Sequence, residues 1–236
     1  TLDEVCTVMT TLAETALEFA QADAERQMRA RFGIPEGAGG SAQRLIIVGM
    51  GKLGGGELNV SSDIDLIFVY PEDGETRDGP RSLSNHEYFS SLGRAVIATL
   101  AEPTAEGYVF RVDMRLRPWG DPGPLAMSFD ALEEYFVTQG REWERYAWIK
   151  ARALTGDAHA ELAAISRPFV FRKYLDYGAI AAMRDLHAQV RAEVARRDLA
   201  DHVKLGPGGI REIEFIAQAY QLIRGGRDAD LRQKPT

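Results

Sequence analysis

Ser61-Ser62-Asp63-Ile64-Asp65-Leu66-Ile67-Phe68 decides how this chain is read, because it is an apolar strand that carries two acids at its start. A strand buried in a parallel sheet is apolar almost throughout. Upstream, Leu45-Ile46-Ile47-Val48 is a second short strand, followed by Gly49-Met50-Gly51-Lys52-Leu53-Gly54. That string matches the G-x-G-x-x-G dinucleotide fingerprint, and Glu72 lies about where a ribose-binding acid belongs. The mechanics exclude that reading. A parallel crossover needs a dozen or more residues and a full helix. Only the stretch from Gly55 to Asp63 separates Gly54 from the next strand.

Side chains alternate across a strand, so Asp63 and Asp65 share one face at about 7 Å. Two carboxylates at that spacing repel unless a cation lies between them. Magnesium suits the position, since it takes oxygen ligands and keeps sites open for phosphates. Two such ions can activate an attacking oxygen and stabilise a leaving one. Asp113, in Arg111-Val112-Asp113-Met114-Arg115, is the candidate third acid, in a strand predicted over Tyr108 to Leu116. An unpaired acid among apolar neighbours there is costly. A lone Asp-x-Asp also occurs in turns and ion pairs. This one follows Gly54 and Gly55, which let backbone N–H groups approach phosphate, and Ser61 and Ser62, which add hydroxyl donors.

Further out, residues 2 to 32 lack Gly and Pro and read as a helix; Gly33 to Ser41 reads as a loop. Tyr88, Phe89, Leu92, Val96, Ile97 and Leu100 recur at helical spacing until Pro103. Beyond residue 128 strand signals vanish. Phe129 to Leu154 and Arg167 to Arg197 read as helical, and a break at Gly206 to Gly209 precedes a last helix with Ile213, Ile216, Tyr220 and Ile223 on one face. The expected fold is therefore α+β, residues 1–127 with a mixed sheet, followed by an all-helical domain over 128–236.

A net charge of −7 argues against a nucleic-acid-binding surface. Cys6 is the only cysteine, which excludes an internal disulfide and fits a reducing, cytoplasmic compartment. No apolar run is long enough to span a membrane, and the first residues are not a signal peptide. Without an initiator Met, the sequence reads as a piece of a longer protein. His86, His159, His187 and His202 have no ligand spacing, and Trp143, Tyr146 and Trp148 read as packing residues.

A Gly-Gly turn, then Asp-x-Asp on the next strand, then a third acid, resembles the nucleotidyltransferase superfamily. Longer strings narrow this. Gly49 to Asn59 running into Ser61 to Phe68, Tyr108 to Pro118, Gly140 to Ala147 and Lys204 to Phe215 resemble the bifunctional glutamine synthetase adenylyltransferase/adenylyl-removing enzymes. Met50 and Asn59 are similar to the half of that family that removes AMP; the adenylylating half tends to have Tyr and Gly there. The resemblance implies phosphorolysis, in which phosphate attacks an AMP-tyrosine ester of glutamine synthetase to give ADP. It implies Mg2+ or Mn2+ on Asp63, Asp65 and Asp113, with Lys52, Arg115 and Arg117 over the phosphates. The alternatives are ATP-dependent adenylylation, or a regulatory module that binds the PII signalling protein. For the arginines, ion pairing to surface acids is the competing role. Lys204, Gly208, Gly209 and Arg211 form either an anion site or a helix-start turn, and Glu214 either reaches the metal site or pairs with Arg211.

Overall fold

The computed structural model describes residues 1–173, 178, 181, 184, 185, 188, 192, 196 and 208–234. Helix α1 (Leu2–Phe32) starts in a capping box between Thr1 and Glu4 and buries Ala13, Leu17, Ala20, Ala24, Met28 and Phe32. These positions recur every three or four residues, so one stripe faces inward. After it come β1 (Ile34–Gly37), β2 (Ile46–Gly49), α2 (Gly51–Gly55), β3 (Ile64–Tyr70) and β4 (Gly74–Arg77). Helix α3 (Asn85–Ala101) opens on a Ser84–Glu87 capping box and stops just before Pro103. The rest is β5 (Val112–Asp113), β6 (Ala126–Ser128), α4 (Phe129–Thr138), α5 (Glu142–Trp148), β7 (Arg152–Ala153), α6 (His159–Val170) and α7 (Ile210–Arg224).

The sheet is mixed, with strand order β5-β3-β2-β7 and β6 also on β3. β2 pairs antiparallel with β3 and with β7, whereas β5 and β6 run parallel to β3. Since β2 takes one edge of β3, β5 and β6 share the other in succession. The antiparallel β2–β3 pair removes the dinucleotide-fold reading outright. On β3 the even positions Ile64, Leu66, Phe68 and Tyr70 pack with α1 and α3. The odd positions Ile67 and Val69 pack with residues of α4, α5, α6 and α7 on the opposite face. Asp65, also odd, therefore points to the α4–α7 side.

Three local expectations need correction. Residues 33 to 41 are not simply a loop, because Ile34–Gly37 pairs with Gly74–Arg77. The strand expected over 108–116 is formed only at Val112–Asp113. The helix expected over 129–154 breaks at Gly140, where a β-carbon would fall 2.5 Å from the Phe169 ring, and ends in β7, which joins the sheet. In α7 much of the face shared by Ile213, Ile216, Tyr220 and Ile223 is exposed, with Ile213 and Tyr220 at 63%, while Gln218 and Leu222 are buried. No helix among the described residues is long and apolar enough to cross a membrane.

Candidate active site

Asp65 and Asp113 face each other in register on the parallel pair β3–β5. Paired residues on neighbouring strands project to the same side, so the two carboxylates share the α4–α7 face of the sheet. Asp63 precedes β3, and its charge also reaches Asp65. The Asp65 carboxyl is pushed up from 3.8 to about 6, first by burial, then by the charges of Asp113 and Asp63, against an opposing effect of Arg115. Asp65 accepts no hydrogen bond among the described residues, so only the Arg115 charge opposes its desolvation.

The other two acids are engaged by arginines. Arg111 donates from Nε to Asp63 and from Nη2 to the Ser61 carbonyl at 2.8 Å. Asp113 accepts from the Arg115 backbone N–H at 2.8 Å and from its Nε at 2.9 Å, and those bonds hold its carboxyl below the usual range. In this arrangement no three His, Cys, Asp or Glu side chains among the described residues are gathered as a metal cage. The donor set nonetheless fits a hard divalent cation. It is all carboxylate oxygen, and its central member is held among like charges with no partner of its own.

The glycine segment serves the site differently from the expectation. Gly51 has φ +52°, and a β-carbon on it would stand 2.8 Å from Asp65 Oδ2. It is thus the glycine that makes room for the carboxylate, although Gly54 and Gly55 were the ones expected beside the phosphates. A β-carbon on Gly54 would lie 2.0 Å from the Lys150 carbonyl oxygen and 2.4 Å from that of Gly49, so this glycine admits a crossing backbone. Gly55 abuts the side chains of Glu57 and Lys150 and the Lys234 carbonyl. Arg152 caps α2 from outside, donating to the carbonyls of Leu53 and Gly54 at 3.0 Å each.

Ser61 and Ser62 lie in the turn before Asp63 and are organised by Asn59. Its Oδ1 accepts from Ser62 Oγ at 2.7 Å and from the Ser61 N–H at 3.3 Å. Lys52 donates to Ser62 Oγ at 3.3 Å and forms no ion pair among the described residues. Asn59 was a missed organiser, although Asn-x-Ser-Ser is a readable turn signal. Arg111 was missed too, two residues before Asp113.

Arg117 is not aimed at the acids. Its guanidinium donates to the carbonyls of Met114 and Asp121 at 2.8 Å and of Gly123 at 3.5 Å, which knits the turn after β5. Lys204 lies outside the described residues. Gly208, at φ +74°, donates its N–H to Glu212 at 2.7 Å, and Gly209 caps α7. Arg211 is exposed. Glu214 joins a separate cluster: Lys150, buried, donates to Glu57 at 2.6 Å and lies 3.8 Å from Glu214. Nearby Tyr146 is pushed up to about 12 by burial and by Glu214, with Arg211 opposing. Of the aromatics read as packing residues, Trp148 is buried and Tyr146 stacks obliquely on Phe215 at 5.6 Å.

The family model described as glutamate-ammonia ligase adenylyltransferase matches residues 1–167, and that described as GlnD PII-uridylyltransferase matches residues 184–234. Among curated proteins the chain is similar to the bifunctional glutamine synthetase adenylyltransferase/adenylyl-removing enzymes of Chromobacterium violaceum, at 65% identity, and Nitrosomonas europaea, at 63%. That of Aromatoleum aromaticum is 61% identical. In each case the match covers 100% of this chain but only 25–26% of the relative, so the chain spans about a quarter of the relatives' length.

Proposed function

The chain belongs to the glutamate-ammonia ligase adenylyltransferase family, and from that premise we propose that it removes AMP from an adenylylated tyrosine of glutamine synthetase by metal-dependent phosphorolysis. The observation that carries the chemistry is the in-register pair Asp65–Asp113, with Asp63 close enough to act on the same carboxylate. Asp63, Asp65 and Asp113 would hold Mg2+ or Mn2+, which supplies Lewis-acid stabilisation of charge at the phosphoryl oxygens.

Phosphate oxygen attacks the α-phosphorus, the bond to the tyrosine oxygen breaks, and its electron pair leaves on the phenolate. The products are ADP and the free tyrosine side chain. A phenol with pKa near 10 leaves more easily than an alkyl alcohol, so no strong general acid is demanded. The attacking group is already anionic, so no strong base is demanded either. What the protein must supply is cationic cover and orientation. Arg115 stands beside Asp113, and Lys52 stands beside Ser62 at the turn leading to Asp63. Ser61 and Ser62, ordered by Asn59, present hydroxyls to the same region.

Removal is favoured over attachment by Met50 and Asn59, which follow the adenylyl-removing pattern. Asn59 has a physical task here, since it braces the turn that delivers Asp63. The relatives' printed name carries both activities, so ATP-dependent adenylylation is the second reading. The assay supplies AMP-modified glutamine synthetase, Mg2+ or Mn2+ and labelled phosphate. Label in ADP, with no AMP release when phosphate is omitted, is the expected result. Free AMP as main product indicates a hydrolase, and pyrophosphate release from ATP with AMP attached to unmodified enzyme indicates the opposite half.

A further inference from the structure

We propose that Arg111 and Arg115 are positioning residues that occupy Asp63 and Asp113 in the ion-free site and surrender them to the divalent cation, so that the two arginines set the metal affinity. The proposal rests on the metal-dependent reading above and adds a control element to that site.

Three features of the geometry carry it. Two of the three acids are paired with arginines, and the third, Asp65, has no hydrogen-bond partner among the described residues. Both pairs open to solvent on the arginine side: the Arg111 and Arg115 side chains are 57% and 74% exposed, against 46% for Asp63 and 15% for Asp113. Exposed ion pairs are weak and exchange readily, unlike a buried pair whose loss strands a charge. The same chain shows the permanent version elsewhere. Arg145 is 1% exposed and donates to the carbonyls of Phe169 and Val170 as well as to Glu142. Finally, each arginine holds more than a carboxylate. Arg111 also grips the Ser61 carbonyl, so its release frees the turn that presents Ser61 and Ser62. Arg115 also donates its backbone N–H to Asp113, so Asp113 stays oriented when the guanidinium leaves. Once displaced, both guanidinium groups remain within two residues of Asp113 and face incoming phosphate oxygens as free donors.

The arginines therefore compete with the cation for the same oxygens, and removing one tightens metal binding. The test is Mn2+ binding, followed by electron paramagnetic resonance and calorimetry on the full chain at about 0.15 M salt. The proteins are wild type, Arg111→Gln, Arg115→Gln, Lys52→Gln and Asp65→Asn. Arg111→Gln and Arg115→Gln are each expected to tighten Mn2+ by about two- to fivefold, the scale of an exposed pair. Lys52 serves as control, because its ammonium bonds Ser62 Oγ and forms no ion pair among the described residues; Lys52→Gln is expected to change affinity by less than about 1.5-fold. Equal tightening in Lys52→Gln would reduce the effect to diffuse charge and overturn the proposal. So would unchanged or weaker binding in both arginine variants while Asp65→Asn abolishes it, a result that leaves the metal site standing. Absence of Mn2+ binding in every protein would overturn both the arginine competition and the metal-dependent reading beneath it.

Discussion

Replacing Asp65 by Asn separates the stability of this domain from its chemistry. The substitution keeps side-chain volume and removes a charge that the ion-free fold accommodates poorly. A carboxyl raised from 3.8 to about 6 corresponds to about 3 kcal/mol against the ionised form in the folded state. Solvent reaches this half-buried group, so about 1–2 kcal/mol survives screening. Because the folded value lies above the unfolded one, the penalty is absent below about pH 4, grows as pH rises through about 6, and is complete at pH 7.5. Thermal melts without metal should therefore place Asp65→Asn about 2–8 °C above wild type at pH 7.5, converging near pH 4. Adding Mn2+ at about a hundred times its dissociation constant stabilises wild type by about 2.7 kcal/mol and leaves the variant unmoved. Turnover is lost at every pH. A variant that melts below wild type at pH 7.5 without metal, or that responds to Mn2+ as wild type does, would refute the reasoning.

Two further substitutions test roles assigned by packing. Gly54→Ala drives a β-carbon into the Lys150 and Gly49 carbonyls, and should lower the melting temperature by about 2–12 °C through a strain of about 1–3 kcal/mol. Gly55→Ala meets its nearest atoms at 3.1–3.4 Å, two of them on flexible side chains, and should cost clearly less; equal melting of the two variants counts against the close-approach argument. Arg117→Ala should lower stability by about 1–2 kcal/mol by freeing the carbonyls of Met114 and Asp121, with KM for phosphate unchanged; a raised KM at unchanged stability would return Arg117 to the phosphate site.

What could be read from sequence depended on how far each signal reaches along the chain. Helix α1 and strand β3 are local patterns, and their limits follow from the absence of Gly and Pro in one and from Pro71 after the other. The strand rule applies to Asp65, inside β3, but not to Asp63, which precedes that strand and acts on Asp65 through its charge. For Arg117 that rule reaches only as far as the strand does. β5 lasts two residues, and the chain turns at once, with the Arg117 N–H bonded to the Met114 carbonyl. Alternation says nothing about a turn. Gly54 needed knowledge of a backbone 96 positions away, and no local pattern announces what will cross a glycine. Strand β7 is two residues long and has no periodicity to detect, yet it closes one edge of the sheet.

The same contrast runs through the site itself. Asp65 stands on a seven-residue strand paired on both edges, beside a helix fixed at Gly51, Gly54 and Arg152. Lys150, bonded to Glu57, ties the segment after α5 to the end of that helix, and its approach to Glu214 brings α7 into the same anchorage. Asp113 and Asp63 stand instead on a two-residue strand and a turn, held by exposed arginines. One acid is thus built into the rigid part of the domain and two into its yielding part. On the proposed metal-dependent reading, a cation arriving between them would meet Asp65 first and recruit the others by displacing their arginines. That order needs no large backbone rearrangement, because the strand register already sets Asp113 opposite Asp65 before any ion is bound.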